Sequence, residues 1–189
     1  ELGAGAVLDA VVARLGLPLM VKPTRGGSSL GCTVVRAAED LPAAMVAAFA
    51  YGDTAMIERF VEGTEVAISV VEDAAGPRSL PVVEIAADGG WYDYGARYTA
   101  GATEFFVPAR LPEATLAACA ELALTVHRTL GLRDWSRSDV FVDADGTPWF
   151  LEVNVAPGMT ETSTYPQAVA ASGTDLGSLT AALVEQALT

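Results

Sequence analysis

Two β-rich runs flank Asp145-Gly146, and together they form the clearest pattern along the chain. An Asp-Gly pair between such runs predicts a hairpin with a two-residue turn. In that register Asp139 lies opposite Glu152, and Arg137 lies opposite Asn154. Opposed residues point to the same side of a sheet, so these four side chains are predicted to share one face. The other face is predicted to be core and carries Val140, Val142, Trp149, Leu151 and Val153.

The rest of the chain alternates short apolar runs with amphipathic or alanine-rich segments, which predicts short strands between helices. Predicted helices cover 1–16, 38–50, 112–130, 164–172 and 175–188. Predicted strands cover 17–21, 32–35, 54–61, 65–71, 79–86 and 104–108. The long helix begins at Pro112 and ends at Gly131, which is the usual asymmetry of helix ends.

Composition changes this picture in three ways. The net charge of −13 argues against a nucleic-acid partner, and no apolar run is long enough to span a membrane. The two cysteines, Cys32 and Cys119, have no metal-binding or redox spacing, which favours a reducing, cytoplasmic compartment. The chain begins with Glu1 rather than Met, so we expect it to be a piece of a longer protein.

The polar face of the hairpin brings two carboxylates, Asp139 and Glu152, close together. Such a pair is unfavourable unless a proton or a cation lies between its members. Oxygen ligands from Asp, Glu and Asn suit Mg²⁺, which takes one or two carboxylates and completes its coordination with water and phosphate. The alternative is a solvent-facing hairpin with scattered charges.

A glycine- and serine-rich loop follows Lys22 and runs from Thr24 to Gly31. The many backbone N–H groups and hydroxyls of such loops bind phosphate oxygens, and a preceding ammonium group strengthens that interpretation. No Lys-Ser/Thr pair follows the last glycine, so this is not a Walker A sequence. The alternative is an ordinary hairpin turn.

Two glutamates and one aromatic loop also stand out. Glu58 and Glu65 interrupt strong β segments, either as solvent-side positions or as acceptors for a nucleotide's base amine and ribose hydroxyls. The loop Gly89 to Tyr98 has the sequence G-G-W-Y-D-Y-G-A-R-Y, and so many aromatic side chains indicate a lid or a pocket wall.

Several segments in a fixed order resemble one known family. They are L-G-L-P-x-x-V-K-P with its Gly/Ser loop, I-E-R-F-V-E-G-x-E, Y-D-Y-x-A-R-Y, R-x-D-V, F-L-E-V-N, and P-G-M-T with Ser163. Together they resemble the nucleotide-binding part of D-alanine–D-alanine ligases, which are ATP-grasp enzymes, from about Leu15 to the end. The resemblance implies an α+β fold of two subdomains, 1–61 and 62–189, with mainly antiparallel sheets and ATP between them. The family's N-terminal substrate domain is not in this sequence.

The resemblance also implies residue roles. ATP would contact Lys22, Ser28, Ser29, Glu58, the Val61 backbone, Glu65, Trp91, Arg97 and Leu151. Two Mg²⁺ ions, or Mn²⁺ in their place, would bind to Asp139, Glu152 and Asn154. Arg137 and the Gly158 amide would face the reacting carboxyl group, Ser163 would bind the second amino acid, and Tyr98 and Ser28 would order the lid.

The implied reaction is ATP-dependent ligation of two D-alanine molecules through an acyl phosphate, for peptidoglycan precursor synthesis. A homodimer is compatible with the sequence, and the piece alone is expected to be inactive. Tyr98 favours D-alanine over D-lactate as second substrate. The chain departs from the family pattern at Arg97, where most members have Lys, at Ser136 and Ser138 around R-x-D, and at Val155 and Ala156. The alternatives are another ATP-grasp carboxylate–amine ligase and a nucleotide-binding module without catalysis.

Overall fold

The computed structural model describes residues 3–27, 29–87 and 103–188. The described chain divides into two compact units, one up to Val61 and the other from Glu62 onward. No helix in these three ranges is long and apolar enough to cross a lipid bilayer.

The first unit is built on a small antiparallel sheet. Its elements are α1 (Ala4–Leu15), β1 (Leu19–Pro23), β2 (Thr33–Val35), a 3-10 turn (Ala38–Asp40), α2 (Leu41–Phe49) and β3 (Ala55–Arg59). The strand order is β2-β1-β3. Leu19 and Val21 point to one face of β1 and are fully buried with Ala44 and Ala48 of α2, while side chains of α1 pack against the same cluster. The other face of the sheet therefore carries Met20 and Lys22, the alternate residues of β1.

The second unit is built on a larger sheet that is antiparallel at every described pairing. Its elements are β4 (Thr64–Asp73), β5 (Gly76–Ser79), β6 (Val83–Ala87), β7 (Thr103–Phe106), α3 (Glu113–Thr129), β8 (Trp135–Val142), β9 (Pro148–Asn154), α4 (Thr164–Ala171) and α5 (Leu176–Ala187). The strand order is β7-β6-β4-β8-β9, with β5 also paired to β4. The prediction of one strand over 79–86 is wrong, because β5 ends at Ser79 and β6 begins at Val83. Pro81, in the interruption, lacks the N–H that strand pairing needs.

The core of the second unit lies between the sheet and α3. Val66, Ile68 and Val70 of β4 and Val140 of β8 point to this side and pack against Cys119 and other small residues of the helix. Because successive residues of a strand face opposite ways, the odd-numbered residues of β8 point to the other side of the sheet. That side carries the polar cluster of the hairpin.

The hairpin turn differs from the predicted one. The Asp143 N–H donates to the Thr147 carbonyl at 3.1 Å, and the Gly146 N–H donates to the Asp143 carbonyl at 3.0 Å, so the loop has one more residue than predicted. Gly146 has φ 80°, the left-handed conformation that closes such a loop. The Asp143 carboxylate accepts from the Trp149 indole and from two backbone N–H groups, which together hold the pKa of Asp143 below its usual value.

A second irregularity compensates for the longer loop. The register shifts by one residue between Asp139 and Val140, so the pairs Asp139–Glu152 and Arg137–Asn154 are confirmed. Between the shift and the turn, however, the side chains of β9 point to the faces opposite to the predicted ones, because a one-residue slip exchanges the two faces of a strand. Trp149 pairs with Phe141 and so points to the face opposite to Val140, instead of sharing the core face with it. Its side chain is 41% exposed. Its predicted place in the core is wrong.

Close packing at Gly63 fixes the start of the β4–β8 pairing. A Cβ atom built on Gly63 would lie 2.0 Å from the Val142 carbonyl oxygen, which is backbone and cannot rotate away. We predict that Gly63→Ala lowers the free energy of unfolding by about 1–3 kcal/mol. Gly52→Ala is the control, because nothing lies within 4 Å of its added methyl group. Equal urea midpoints for the two variants would contradict this prediction.

A buried carboxylate joins β6 to the segment before α3. Glu84 is 6% exposed and accepts from the Arg110 guanidinium at 2.6 Å and from the Arg110 backbone N–H at 2.8 Å. The side-chain hydrogen bond from Arg110 holds the pKa of Glu84 below its ordinary value of 4.5, although burial acts in the opposite direction.

The lowered pKa of Glu84 gives a pH dependence of defined sign. The unfolded chain binds this proton more readily, so the stabilisation is present above pH 4.5 and is lost as the pH falls through the folded-state value. We predict that Glu84→Gln lowers stability near neutral pH and makes the acid-side decrease shallower. Urea titrations across the acid range test this, with Glu185→Gln as the control, because Glu185 is exposed on α5. A parallel shift of the whole curve in Glu84→Gln would contradict it.

Candidate functional site

Arg137 and Asp139 form the centre of the polar cluster on the hairpin. Arg137 Nε lies 2.7 Å from Asp139 Oδ1, and Arg137 Nη2 lies 2.7 Å from Oδ2. The side chains are only 16% and 7% exposed. This bidentate geometry fixes the plane of the guanidinium and is stronger than a single neutral hydrogen bond. The two residues lie two positions apart on β8, which places both on the same face.

Asn154 links this pair to the second carboxylate. Its Nδ2 donates to Asp139 Oδ2 and to Glu152 Oε1, both at 3.4 Å. The hairpin therefore gathers two carboxylates and an amide on one surface, and Glu152 is exposed to solvent. Within the described residues there is no group of three or more His, Cys, Asp or Glu side chains that could hold a metal.

The donor set nevertheless fits a hard cation. Mg²⁺ binds carboxylate and amide oxygens and commonly uses only one or two carboxylates, with water and phosphate as its other ligands. Asp139 is engaged with Arg137, but each carboxylate oxygen has two lone pairs, so that ion pair leaves acceptor capacity for a cation. The chemistry of Asp139, Glu152 and Asn154 thus agrees with the predicted magnesium ligands.

The first unit presents its own charged pair on the sheet face opposite to its helices. Lys22 Nζ lies 2.7 Å from Glu58 Oε1, across the antiparallel β1–β3 pairing. The two side chains are 20% and 33% exposed. The carboxylate holds the ammonium group in place while part of it stays exposed, which a phosphate-binding group requires. The structure therefore brings these two predicted nucleotide contacts together.

The loop after β1 has the backbone conformations expected of a glycine-rich connection. Gly26 and Gly31 have φ 131° and 73°, and Ser29 has φ 58°. A Cβ atom on Gly31 would lie 2.6 Å from the Tyr51 ring, so this position needs glycine for both its space and its φ. Ser28, the other serine predicted to contact phosphate, lies outside the described residues.

The remaining predicted nucleotide contacts are dispersed. Val61 ends the first unit, while Glu65 lies on β4 opposite Phe141 and so shares the sheet side of Asp139. Leu151 is the extra residue at the register shift of β9 and is half-buried. Trp91, Arg97 and Tyr98 lie outside the described residues.

The predicted substrate residues Gly158 and Ser163 lie side by side. A Cβ atom on Gly158 would be 2.7 Å from Ser163 Oγ, so the hydroxyl packs directly against the glycine. Ser163 stands at the N-terminus of α4, and its hydroxyl lies 2.8 Å from Thr160 Oγ1. The sequence analysis did not identify Thr160 as a site residue, although the hydroxyl-rich run T-E-T-S just before a predicted helix could have indicated it.

His127 has a structural role. It is 1% exposed on α3, its Nδ1 lies 2.8 Å from Ser136 Oγ, and its Nε2 lies 3.5 Å from Glu72 Oε2. Ser136 is fully buried, so this Ser–His–Glu row cannot receive a substrate. Its effect is to tie α3 to β8 one residue before Arg137.

Comparison with known proteins decides the family. A model of the D-ala D-ala ligase C-terminus matches residues 3–185. The chain belongs to this family. This family assignment agrees with the family that the motifs resemble, and with the two units built on antiparallel sheets.

Curated relatives and solved structures of the ligase family give the extent of the match. A D-alanine–D-alanine ligase of Bordetella petrii is 41% identical over 98% of this chain, and one of Pelotomaculum thermopropionicum is 40% identical over 97%. The VanG D-Ala:D-Ser ligase of Enterococcus faecalis is 32% identical, with a TM-score of 0.84 over 95% of this chain and 52% of its own. The D-alanine–D-alanine ligase of Bacillus anthracis is 30% identical in sequence, and its structure gives a TM-score of 0.79. The chain spans 57% of the length of the two curated relatives.

Proposed function

We propose that this chain is the ATP- and metal-binding part of a ligase that joins two D-alanine molecules for peptidoglycan precursor synthesis in the cytoplasm. The observation that carries the proposal is the shared face of Arg137, Asp139, Glu152 and Asn154 on the β8–β9 hairpin. This set of charges suits a reaction in which ATP phosphorylates a carboxylate and an amine then displaces the phosphate. The motif similarity to D-alanine–D-alanine ligases supplies the substrate class.

Asp139, Glu152 and Asn154 would hold two Mg²⁺ ions. Bound there, the metal supplies positive charge against the phosphate oxygens of ATP and of the transferring phosphoryl group. Asn154 already joins the two carboxylates through its amide. The ligands therefore keep their positions through contacts within the hairpin.

Arg137 would stabilise negative charge on the reacting carboxyl group. Its guanidinium is held by Asp139 at two points, so it needs little reorganisation when charge develops, and that is the condition under which such a group contributes most. The Gly158 amide would donate to the same oxyanion. Lys instead of Arg could not reproduce the bidentate pair with Asp139.

The first unit would supply the phosphate contacts and part of the contacts to the base. Lys22 would bind the α-phosphate, Ser28, Ser29 and the loop amides would cover the phosphates, and Glu58 with the Val61 backbone would contact the adenine edge. Glu65 would bind the ribose, and Trp91 and Leu151 would pack against the purine. Arg97 and Tyr98 would belong to the lid that excludes water from the acyl phosphate.

The intact gene product provides the test. We expect phosphate release from ATP that requires both Mg²⁺ and D-alanine, with D-alanyl-D-alanine as the product at neutral pH. In competition, D-alanine is expected to be preferred over D-lactate and D-serine as second substrate, in line with the predicted role of Tyr98. Phosphate release driven by an unrelated carboxylate and amine would favour another ATP-grasp ligase. Nucleotide binding without phosphate release would favour a non-catalytic module. Sedimentation of the same preparation tests whether the protein forms a homodimer.

A further inference from the structure

The hydroxyl of Ser163 does not cap the helix that it precedes. Ser163 has the extended backbone of an N-cap residue, and its carbonyl accepts from the Gln167 N–H at 3.4 Å. A serine at this position normally accepts a hydrogen bond from the second or third residue of the helix. The third residue here is Pro166, which has no N–H, and the Ser163 side chain makes no capping bond. The proline thus removes one of the two N–H groups that this hydroxyl could cap, and the hydroxyl does not bind the other, the Tyr165 N–H.

Two neighbours hold this hydroxyl in place instead. Ser163 Oγ lies 2.8 Å from Thr160 Oγ1, and Gly158 leaves room for it on the other side. Thr160 Oγ1 also lies 3.3 Å from Thr162 Oγ1. The Ser163 N–H donates to the Thr160 carbonyl at 2.9 Å, so backbone and side-chain contacts join the same two residues.

A carboxylate ligand would fix the direction of these hydrogen bonds. A carboxylate only accepts, so Ser163 must donate its proton to it. The Ser163 oxygen then has to accept, and Thr160 has to donate. Thr162 is placed to donate to the Thr160 oxygen in turn. Hydrogen bonds arranged head to tail strengthen one another, so each threonine makes the Ser163 proton a better donor.

We propose that Thr160 is a positioning residue for the second amino acid: it holds the Ser163 hydroxyl away from the helix end and orients its proton toward the amino acid's carboxylate. This inference rests on the proposed function, because it takes Ser163 as the group that receives that carboxylate. Thr160 itself does not touch the substrate. Its effect belongs to binding of the second D-alanine, not to phosphoryl transfer.

The test compares Thr160→Val with Thr160→Ser in the intact enzyme. Valine keeps the shape and removes the hydroxyl, whereas serine keeps it. We expect Thr160→Val to raise the KM for the second D-alanine about tenfold, because the Ser163 hydroxyl is then no longer oriented toward the charged carboxylate, with the KM for ATP unchanged. Thr160→Ser should stay near wild type. Thr180→Val is the matched control, because its hydroxyl bonds only to the Leu176 carbonyl within α5.

A double-mutant cycle separates positioning from a structural effect. In a Ser163→Ala background there is no hydroxyl to orient, so Thr160→Val should cause no further rise in KM. Equal effects of Thr160→Val in both backgrounds, or a wild-type KM in the single variant, would overturn the positioning role while leaving the ligase activity in place. Absence of D-alanine-dependent phosphate release in the wild-type enzyme would overturn the proposed function and this inference with it. Thr160 is exposed, so neither replacement empties a buried site.

Discussion

Glu152→Gln is expected to reduce Mg²⁺-dependent ligation by the intact enzyme more than a hundredfold. Replacement of groups that only support metal ligands typically costs about 10–100-fold, and Glu152 is proposed as a ligand itself. Glutamine has the same shape but no charge, so it cannot offset the positive charge of the metal. Because Glu152 is exposed, the fold should be unaffected. Phosphate release at saturating ATP and D-alanine, over a range of Mg²⁺ concentrations, measures the effect.

The matched control for Glu152→Gln is Glu121→Gln on α3. Glu121 is an exposed carboxylate whose side chain reaches Arg128 only at 4.0 Å, so its loss should leave turnover and Mg²⁺ dependence near wild type. Wild-type turnover in Glu152→Gln would remove this residue from the mechanism. Recovery of full activity at high Mg²⁺ would assign Glu152 to metal affinity alone.

Arg137→Ala is expected to lower the free energy of unfolding by about 3–5 kcal/mol, the usual effect of removing one partner of a buried ion pair. Asp139 is 5% exposed, and the substitution takes away its bidentate partner. The charged carboxylate then remains in a place that water hardly reaches. Urea titration measures the change, and ligation should be lost as well.

Asp139→Asn in the Arg137→Ala background tests that explanation. It removes the uncompensated charge, so it should restore much of the stability without restoring ligation. Arg128→Ala is the control, since that exposed arginine makes only the long contact to Glu121. If Arg137→Ala were as stable as Arg128→Ala, the pair with Asp139 would be a weak surface contact rather than a buried one.

The positions of the functional side chains could be predicted from the sequence to different degrees. The face shared by Arg137, Asp139, Glu152 and Asn154 followed from the two-residue period of strands and one Asp-Gly turn. It was correct even though the turn was not, because the register shift next to Asp139 cancels the longer loop. Only hydrogen bonds across the folded hairpin distinguish these two arrangements. Trp149 lies between the two irregularities, and for that reason its face was predicted wrongly.

The sequence by itself determined the order of the helices and of the strands other than β5, the polar face of the hairpin and the family, because periodicity and motifs are local properties of the chain. The tertiary structure alone decided which charges meet. Lys22 and Glu58 are far apart in the sequence and come to 2.7 Å only when β1 pairs with β3. Glu84 and Arg110 likewise meet only when the segment before α3 packs against β6. Such contacts depend on distances between segments, which no local pattern contains.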